Sequence, residues 1–189
     1  MKVLTLSMDD PKEIRMIVFS ALLTALHEIM GRDGKNSVLR FAGLDDYVNR
    51  EIPAPSIEQT VSFETFIALI NSMQDLLGHG TDAILYESGR KFAIYLTPFG
   101  YSLQEVVEKL ETWIGGTWSV LQDNNESIVR IKNNPVCKGI TSEKPSCHVI
   151  SGALAKIKEE STGTHYIVRE ITCESKGDEF CEFHIVREK

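Results

Sequence analysis

The chain of 189 residues is 42% hydrophobic and 25% charged, a composition typical of a globular protein with one domain, or with one domain and an extension. A chain of this length buries a substantial core without the help of disulfides. Its net charge of −7 and the lack of any Lys/Arg run argue against nonspecific nucleic-acid binding, which depends on basic side chains that neutralise phosphates.

Signals for membrane insertion and secretion are also missing. No apolar stretch reaches the roughly 18 residues that a membrane span needs, and Met1–Asp10 lacks a basic region followed by an apolar core. We therefore expect a cytoplasmic protein. Because cytoplasmic thiols stay reduced, the four cysteines are interpreted as metal ligands or free thiols before disulfides.

The N-terminal region is predicted to be mainly helical. Met1–Leu6 alternates apolar and polar residues, as an edge strand does, and Pro11 suits the first turn of a helix that ends at Gly31. A loop and a shorter helix, Val38–Asn49, follow.

A domain boundary is predicted after this helical region. Glu51–Ser56 contains two prolines and is interpreted as a linker, because proline disfavours regular structure. We therefore divide the chain into an N-terminal extension, residues 1–56, and a main domain, residues 57–189.

Two helices are predicted at the start of the main domain. Ser62 begins an S-x-x-T pattern, an apolar stripe follows, and Gly78 ends it. Thr81–Leu96 is ambiguous, and we favour a helix over a hairpin that turns at Ser88-Gly89.

A further helix and a hairpin come next. Ser102 and Glu105 form a capping box that opens a helix ending at Gly115. Thr117–Gln122 and Ser127–Lys132 are predicted to be strands of a hairpin.

The C-terminal region repeats the combination of helix and hairpin. Ser146 is predicted to cap a helix that carries Cys147, and the strands Tyr166–Glu174 and Glu179–Arg187 form the final pair. The expected fold class is therefore α+β, with an antiparallel sheet of hairpins packed against helices.

The final hairpin brings two cysteines together. If Lys176-Gly177-Asp178 forms a three-residue turn, Cys173 faces Cys181 on the neighbouring strand. Directly opposed residues have Cβ atoms about 5 Å apart. This spacing suits two sulfurs bound to one tetrahedral Zn²⁺, although two small buried side chains or a disulfide are the alternatives.

Cys147 is the third candidate ligand, because the start of a helix is partly positive and favours a thiolate. The fourth ligand stays open. Glu170 lies three residues before Cys173 and would face the other side of a regular strand, so it needs a bulge near Ile171-Thr172. His148 and His184 are rival ligands by chemistry, although His184 has the wrong strand parity relative to Cys181.

Three sequence motifs support a resemblance to a known family. They are Cys147-His-Val-Ile-Ser-Gly152-Ala-Leu-Ala, Val168-Arg-Glu170-Ile-Thr-Cys173 and Gly177-Asp-Glu-Phe-Cys181-Glu-Phe183-His-Ile185. The chain thereby resembles the 4-vinyl reductase domain family, also described as predicted hydrocarbon-binding proteins. The resemblance covers roughly Ser62 to Lys189 and leaves the N-terminal extension unexplained.

The resemblance implies an α+β ligand-binding fold, similar to haem-nitric-oxide sensor domains and to small subunits of the TRAPP vesicle-tethering complexes. In phenol-sensing members, zinc is held by four residues that align with Cys147, Glu170, Cys173 and Cys181. Cys137 lies outside this pattern and is interpreted as a loop thiol without an assigned role. The resemblance also implies a homodimer, in which the N-terminal extension packs on a second copy.

The predicted function is binding or sensing of a small molecule, with zinc in a structural role because four protein ligands leave no open position. An apolar or aromatic ligand would lie between the helices and the sheet, against Phe92, Tyr95, Leu96, Trp113 and Trp118, unless these side chains simply fill the core. One alternative is a reductase of a vinyl-bearing tetrapyrrole, which the lack of a nicotinamide or flavin motif disfavours, so a non-enzyme is expected. The other alternative is an assembly or scaffold subunit.

Overall fold

The structure is a computed structural model that describes residues 13–94, 100–123 and 126–188. The strand predicted over Met1–Leu6 and the helix start predicted at Pro11 lie outside these residues. Within the described ranges, none of the helices combines the length and the apolar character needed to cross a bilayer.

Helices make up the first half of the described chain, and strands make up most of the second half. In chain order the elements are β1 Glu13–Arg15, α1 Met16–Phe41, β2 Thr60–Ser62, α2 Phe63–Leu77, α3 Thr81–Ile94, α4 Leu103–Ile114, β3 Thr117–Asp123, β4 Glu126–Lys132, α5 His148–Thr162, β5 Tyr166–Thr172 and β6 Cys181–Arg187.

The main sheet is antiparallel, with the strand order β3-β4-β6-β5. Its two hairpins are the two that the sequence predicts, and helices cover one face. The predicted α+β fold, an antiparallel sheet of hairpins packed with helices, is therefore confirmed.

The N-terminal helix differs from the prediction. β1 pairs with β2, so α1 begins at Met16 and not next to Pro11. Gly31 has a φ of 72° and interrupts the helical backbone, but the helix resumes directly and continues to Phe41. The predicted loop after Gly31 and the separate helix Val38–Asn49 are therefore wrong, because a single glycine kinks this helix without ending it.

The helix caps predicted in the main domain are confirmed. The Ser62 side chain accepts a hydrogen bond from the Thr65 amide at the start of α2. Ser102 and Glu105 form the reciprocal capping box of α4. Thr81–Ile94 is the helix α3, which decides the ambiguity at Ser88-Gly89 in favour of a helix.

Two glycines allow α3 and α5 to pack backbone against backbone. A Cβ atom at Gly89 would lie 1.8 Å from the Val149 carbonyl oxygen, and one at Gly152 would lie 1.8 Å from the Tyr86 carbonyl oxygen. Any larger residue would force the helices apart. This contact fixes the position of α5, whose first turn carries Cys147.

One hydrophobic core runs through the described part of the chain. It includes apolar side chains of α1 to α5 and the inner face of the sheet, among them Phe19, Leu69, Phe92, Leu110 and Phe183. All four cysteines lie at its edge and are at most 6% exposed. The division between residues 1–56 and 57–189 stays a prediction.

Candidate metal centre

Four cysteine sulfurs lie together in the interior. Cys147 is the N-cap of α5, Cys173 directly follows β5, and Cys181 begins β6. Cys137 ends a 3₁₀ turn, Pro135–Cys137, in the segment between β4 and α5. The ligand atoms of these four residues all lie within 4.8 Å of one another.

The distances between sulfurs are similar for all pairs. The three sulfurs predicted from the sequence are 3.8 Å apart for Cys147 and Cys173, 3.8 Å for Cys147 and Cys181, and 4.0 Å for Cys173 and Cys181. The Cys137 sulfur lies 3.1 Å from that of Cys147, 3.6 Å from that of Cys173 and 3.5 Å from that of Cys181.

Sequence reasoning missed the position of Cys137. Its turn begins with Asn134, whose side chain accepts a hydrogen bond from the Val136 amide. The carboxylate of Glu174 accepts hydrogen bonds from the Asn133 and Asn134 amides, each at 2.7 Å. These contacts bring the segment beside the final hairpin, and no spacing of residues in the sequence indicates them.

The register of the final hairpin places Cys173 opposite Cys181. Thr172 pairs with Glu182, so the next residues along each strand face each other. Gly177 has a φ of 93°, as the predicted turn requires. The connection is nevertheless longer than the predicted three-residue turn, because Glu174–Lys176 forms a 3₁₀ turn first.

A β-bulge brings Glu170 to the same face of β5 as Cys173. The pairing shifts between Glu170, opposite Phe183, and Thr172, opposite Glu182, which leaves Ile171 as the extra residue. This is the bulge that the sequence requires near Ile171-Thr172 if Glu170 is to approach the cysteines. The strand parity that counted against Glu170 is therefore removed by the extra residue.

The Glu170 carboxylate lies beside the sulfur cluster with one oxygen paired and one unpaired. Oε2 accepts a hydrogen bond of 2.9 Å from the Cys147 amide, and Oε1 is buried without a hydrogen-bond partner. Burial, followed by the contact with Cys173, raises the pKa of Glu170 to about 9. An unpaired buried carboxylate oxygen is costly, and a cation in this position would remove that cost.

The thiols influence one another's protonation. Hydrogen bonds from the other three thiols, with that of Cys137 the largest, lower the pKa of Cys173. The hydrogen bond with Cys137, followed by those with the other two thiols, raises the pKa of Cys147. Without a cation, the cluster can therefore carry only part of the negative charge that four thiolates would have.

Several polar groups point at the sulfurs. The Asn134 amide nitrogen Nδ2 lies 3.2 Å from the Cys147 sulfur and 3.4 Å from the Cys181 sulfur. The Glu174 amide donates to Cys181 at 3.3 Å, and the Ser175 hydroxyl lies 3.0 Å from the Cys173 sulfur. Such donors stabilise thiolates and orient metal ligands.

The remaining residues predicted near the site have other contacts. The His148 Nε2 atom lies 3.2 Å from an Asp82 carboxylate oxygen, and the His184 Nε2 atom lies 2.8 Å from a Glu182 carboxylate oxygen. Neither histidine joins the four cysteines in the described cluster. Ser146 does not cap α5, because its hydroxyl lies 2.9 Å from the Ser175 hydroxyl and Cys147 occupies the N-cap.

The predicted pocket residues lie in different places. Phe92 and Trp118 are 3% and 7% exposed and belong to the core, and the Trp118 indole donates to the Gly115 carbonyl. Trp113 is half-buried and lines an open groove of about 350 Å³ along α4. Tyr95 and Leu96 lie outside the described residues. Their shared role in ligand binding stays a prediction.

Two adjoining cavities open between α4, α5 and β3, and we call them together the α4–α5 cleft. Their volumes are about 460 Å³ and about 400 Å³, and both are lined by Ser102 and Ser161. The apolar side chains of Leu103, Val106, Val120 and Ile157 contribute to the lining, together with Lys158 and Glu160.

The fold and the cysteine-containing C-terminal region define the class of protein to which the chain is similar. Residues 127–187 match the family profile of the 4-vinyl reductase domain, and this range includes all four cysteines and Glu170. The resemblance to the 4-vinyl reductase domain family is thereby confirmed.

A curated relative is an uncharacterised protein of Methanocaldococcus jannaschii, 27% identical over 105 residues, which are 56% of this chain and 56% of the relative. The alignment therefore spans about half the length of each protein.

Solved structures share the fold of most of the chain. A vinyl-4-reductase family protein from Methanocaldococcus jannaschii superimposes with a TM-score of 0.54 at 21% identity, over 82% of this chain and 92% of that one. An H-NOX protein from S. oneidensis, solved in its Fe(II)NO ligation state, gives a TM-score of 0.59 at 12% identity, over 93% of this chain and 100% of that one. The predicted relation in fold to the haem-nitric-oxide sensor domains is therefore confirmed.

Proposed function

We propose that the chain is a small-molecule-binding protein whose ligand domain is held together by one structural zinc ion. The observation that carries this proposal is the buried group of cysteine sulfurs, supplied by an interior helix and by both strands of the final hairpin. Cys147, Cys173 and Cys181 supply three of the ligands, and the fourth comes from a neighbouring donor.

The residues present fit a zinc ion. Thiolates are the preferred ligands of structural zinc, and four protein ligands in a buried site leave no position for a substrate. The unpaired Glu170 Oε1 atom and the hydrogen-bond donors around the sulfurs are the features expected of a site that surrounds a cation. The ion would act as a clip between α5 and the β5–β6 hairpin.

The ligand site that we propose is the α4–α5 cleft. Its apolar lining and few polar groups suit a small apolar or aromatic molecule. The helix α5 connects the two sites, because Cys147 lies at its start while Ile157 and Ser161 near its end line the cleft. A zinc clip would therefore hold one wall of the cleft in place. The H-NOX structure with its Fe(II)NO ligation state supports a ligand-binding role by fold.

The zinc proposal is tested by elemental analysis of protein purified without chelators. We expect about one zinc per chain, because a closed thiolate site binds zinc tightly at neutral pH. A content below about a tenth of an equivalent would contradict the proposal.

The ligand proposal is tested by native mass spectrometry of the protein from its own cells. We expect a co-purified small molecule in the wild type and in the variant Ser161→Ala, and its loss in Ser161→Trp. Ser161 is exposed, so the indole would fill the cleft without disturbing the core. Retention of the molecule by Ser161→Trp would place the ligand elsewhere.

The proposal includes a homodimer that forms through the N-terminal extension, residues 1–56. Light scattering on the purified protein should give twice the chain mass of 21.2 kDa. A single-chain mass at micromolar concentration would remove the homodimer and leave the zinc and ligand proposals unaffected.

A further inference from the structure

We infer that Cys137, and not Glu170, supplies the fourth ligand of the metal. This inference rests on the proposed function, because it concerns the same ion. It departs from the ligand set that the family resemblance implies, and it assigns a role to a cysteine that the resemblance leaves without one.

The distances between sulfurs carry the inference. In a regular tetrahedral site with Zn–S bonds of about 2.3 Å, neighbouring sulfurs are about 3.8 Å apart. The six sulfur–sulfur distances here lie between 3.1 and 4.0 Å, and three of the six involve Cys137. An ion at the centre would lie about 2.2 Å from each sulfur, close to the length of a Zn–S bond.

The surroundings of Cys137 are those of a fixed ligand. The sulfur is buried at 6% exposure, and the turn that carries it is held by the Asn134 side chain and by the two backbone hydrogen bonds to Glu174. Asn134 then directs its amide group at the sulfurs of Cys147 and Cys181. A loop thiol without a role would need none of these contacts.

The position of Glu170 is that of a neighbour to the ligands. Its Oε2 atom accepts the hydrogen bond from the Cys147 amide, which fixes the backbone at the N-cap of α5. Its carboxylate is not part of the described group whose ligand atoms all lie within 4.8 Å of one another. Since Oε1 has no partner, Glu170 is the competing fourth donor, and an experiment must compare the two residues.

Zinc with four thiolates has a net charge of −2, and the structure supplies donors to balance it. The Asn134 amide, the Glu174 backbone amide and the Ser175 hydroxyl all lie within 3.4 Å of a sulfur. Such charge-assisted hydrogen bonds make a buried sulfur-only site favourable. With Cys137 as a ligand, the ion fastens the β4–α5 segment to α5 and to the final hairpin.

The experiment is X-ray absorption at the zinc edge, on the full-length protein loaded with zinc, for the wild type and two near-isosteric variants. We expect four sulfur neighbours and no oxygen neighbour in the wild type and in Glu170→Gln. In Cys137→Ser we expect three sulfurs and one oxygen or nitrogen neighbour, since oxygen ligands lie about 2.0–2.2 Å from zinc and are resolved from sulfur.

Zinc affinity, measured by competition with a chelating dye, gives a second readout. Cys137→Ser should weaken zinc binding more than about 100-fold, while Glu170→Gln should weaken it about 10-fold or less, as the loss of a neighbouring hydrogen bond does. The Glu170→Gln result and the wild-type spectrum remain decisive if Cys137→Ser fails to fold.

Two further results would each overturn the inference. One is a wild-type shell of three sulfurs and one oxygen that changes in Glu170→Gln, and the other is a four-sulfur shell that persists in Cys137→Ser. Either result would leave the proposed zinc in place. A wild-type protein without any metal would instead overturn the proposed function as well.

Discussion

Asn134 is the residue with the most direct influence on the sulfurs without being a metal ligand itself. It is 2% exposed, its Oδ1 atom holds the turn that carries Cys137, and its Nδ2 atom points at the sulfurs of Cys147 and Cys181. It is therefore a positioning residue. Replacing the amide by a carboxylate would keep the turn but direct a negative charge at the thiolates.

The first prediction concerns this residue. Asn134→Asp should weaken zinc binding by about 10–100-fold, because the donor is lost and repulsion replaces it. Asn133→Asp is the matched control, since it makes the same change in the neighbouring exposed side chain and should have little effect. Competition with a chelating dye measures both, and equal affinities for the two variants would contradict the role of Asn134.

Helix α5 is the element that connects the metal centre with the α4–α5 cleft, and its packing on α3 depends on two glycines. A Cβ atom at Gly152 would lie within 1.8 Å of a backbone oxygen, which no rotamer change relieves.

We therefore predict that Gly152→Ala lowers the free energy of unfolding by about 2–4 kcal/mol, because the helices must separate. Gly80→Ala is the control, since nothing lies within 4 Å of its Cβ position and its φ is not positive, so it should be neutral or slightly stabilising. Urea denaturation measures both. Equal stabilities would show that the α3–α5 crossing is looser than described.

An ion pair between the same two helices adds a dependence on pH. The Arg90 guanidinium contacts both carboxylate oxygens of Glu159, at 3.2 and 2.9 Å. Burial acts to raise the pKa of Glu159, but the hydrogen bond and charge of Arg90 outweigh it and lower this pKa.

Because the folded pKa lies below the unfolded value of about 4.5, the contribution to stability is present above pH 4.5 and is lost as the pH falls through the folded pKa. Arg90→Met should cost about 1.5–3 kcal/mol at pH 7 and much less at pH 3. The control is Lys132→Met, in the exposed pair with Glu179, which should change stability by less than about 0.5 kcal/mol. A cost for Arg90→Met that does not vary with pH would contradict the ion pair.

At the scale of the whole molecule, the metal centre joins segments that are far apart in the sequence to a core shared by α1 to α5 and the sheet. The stability of the chain should therefore depend on the ion. We predict that removal of zinc by a chelator lowers the free energy of unfolding by at least about 5 kcal/mol, and the melting temperature by about 10–20 °C. Calorimetry with and without chelator, followed by re-addition of zinc, measures this. An unchanged melting temperature in zinc-free protein would show that the ion is not structural.

The sequence predicts most of the fold because its signals are local. The caps at Ser62 and Ser102, the stops at Gly78 and Gly115 and the period of apolar residues define helices without reference to the rest of the chain. Gly31 shows the limit of this reasoning, because a glycine can end one helix and merely kink another, depending on what packs beyond it.

The candidate site was predictable in part for the same reason. Cys173 and Cys181 follow from the hairpin register, and the bulge at Ile171 could be inferred from the need to turn Glu170 inward. Cys137 could not be inferred, because its position depends on hydrogen bonds between the β4–α5 segment and Glu174, which lies 40 residues or more along the chain. Long-range contacts of this kind have no local signal.

The bulge at Ile171 has a second consequence. The strand β5 lies at the edge of the sheet, and its solvent side carries the apolar side chains of Ile167 and Ile171, which are 39% and 49% exposed. A flat edge with such residues is a template on which a strand of another molecule can add, the first step of aggregation. Because an extra residue breaks the regular spacing of amides and carbonyls, a foreign strand cannot match the whole length of this edge. The irregularity that turns a carboxylate inward therefore also protects the protein against self-association.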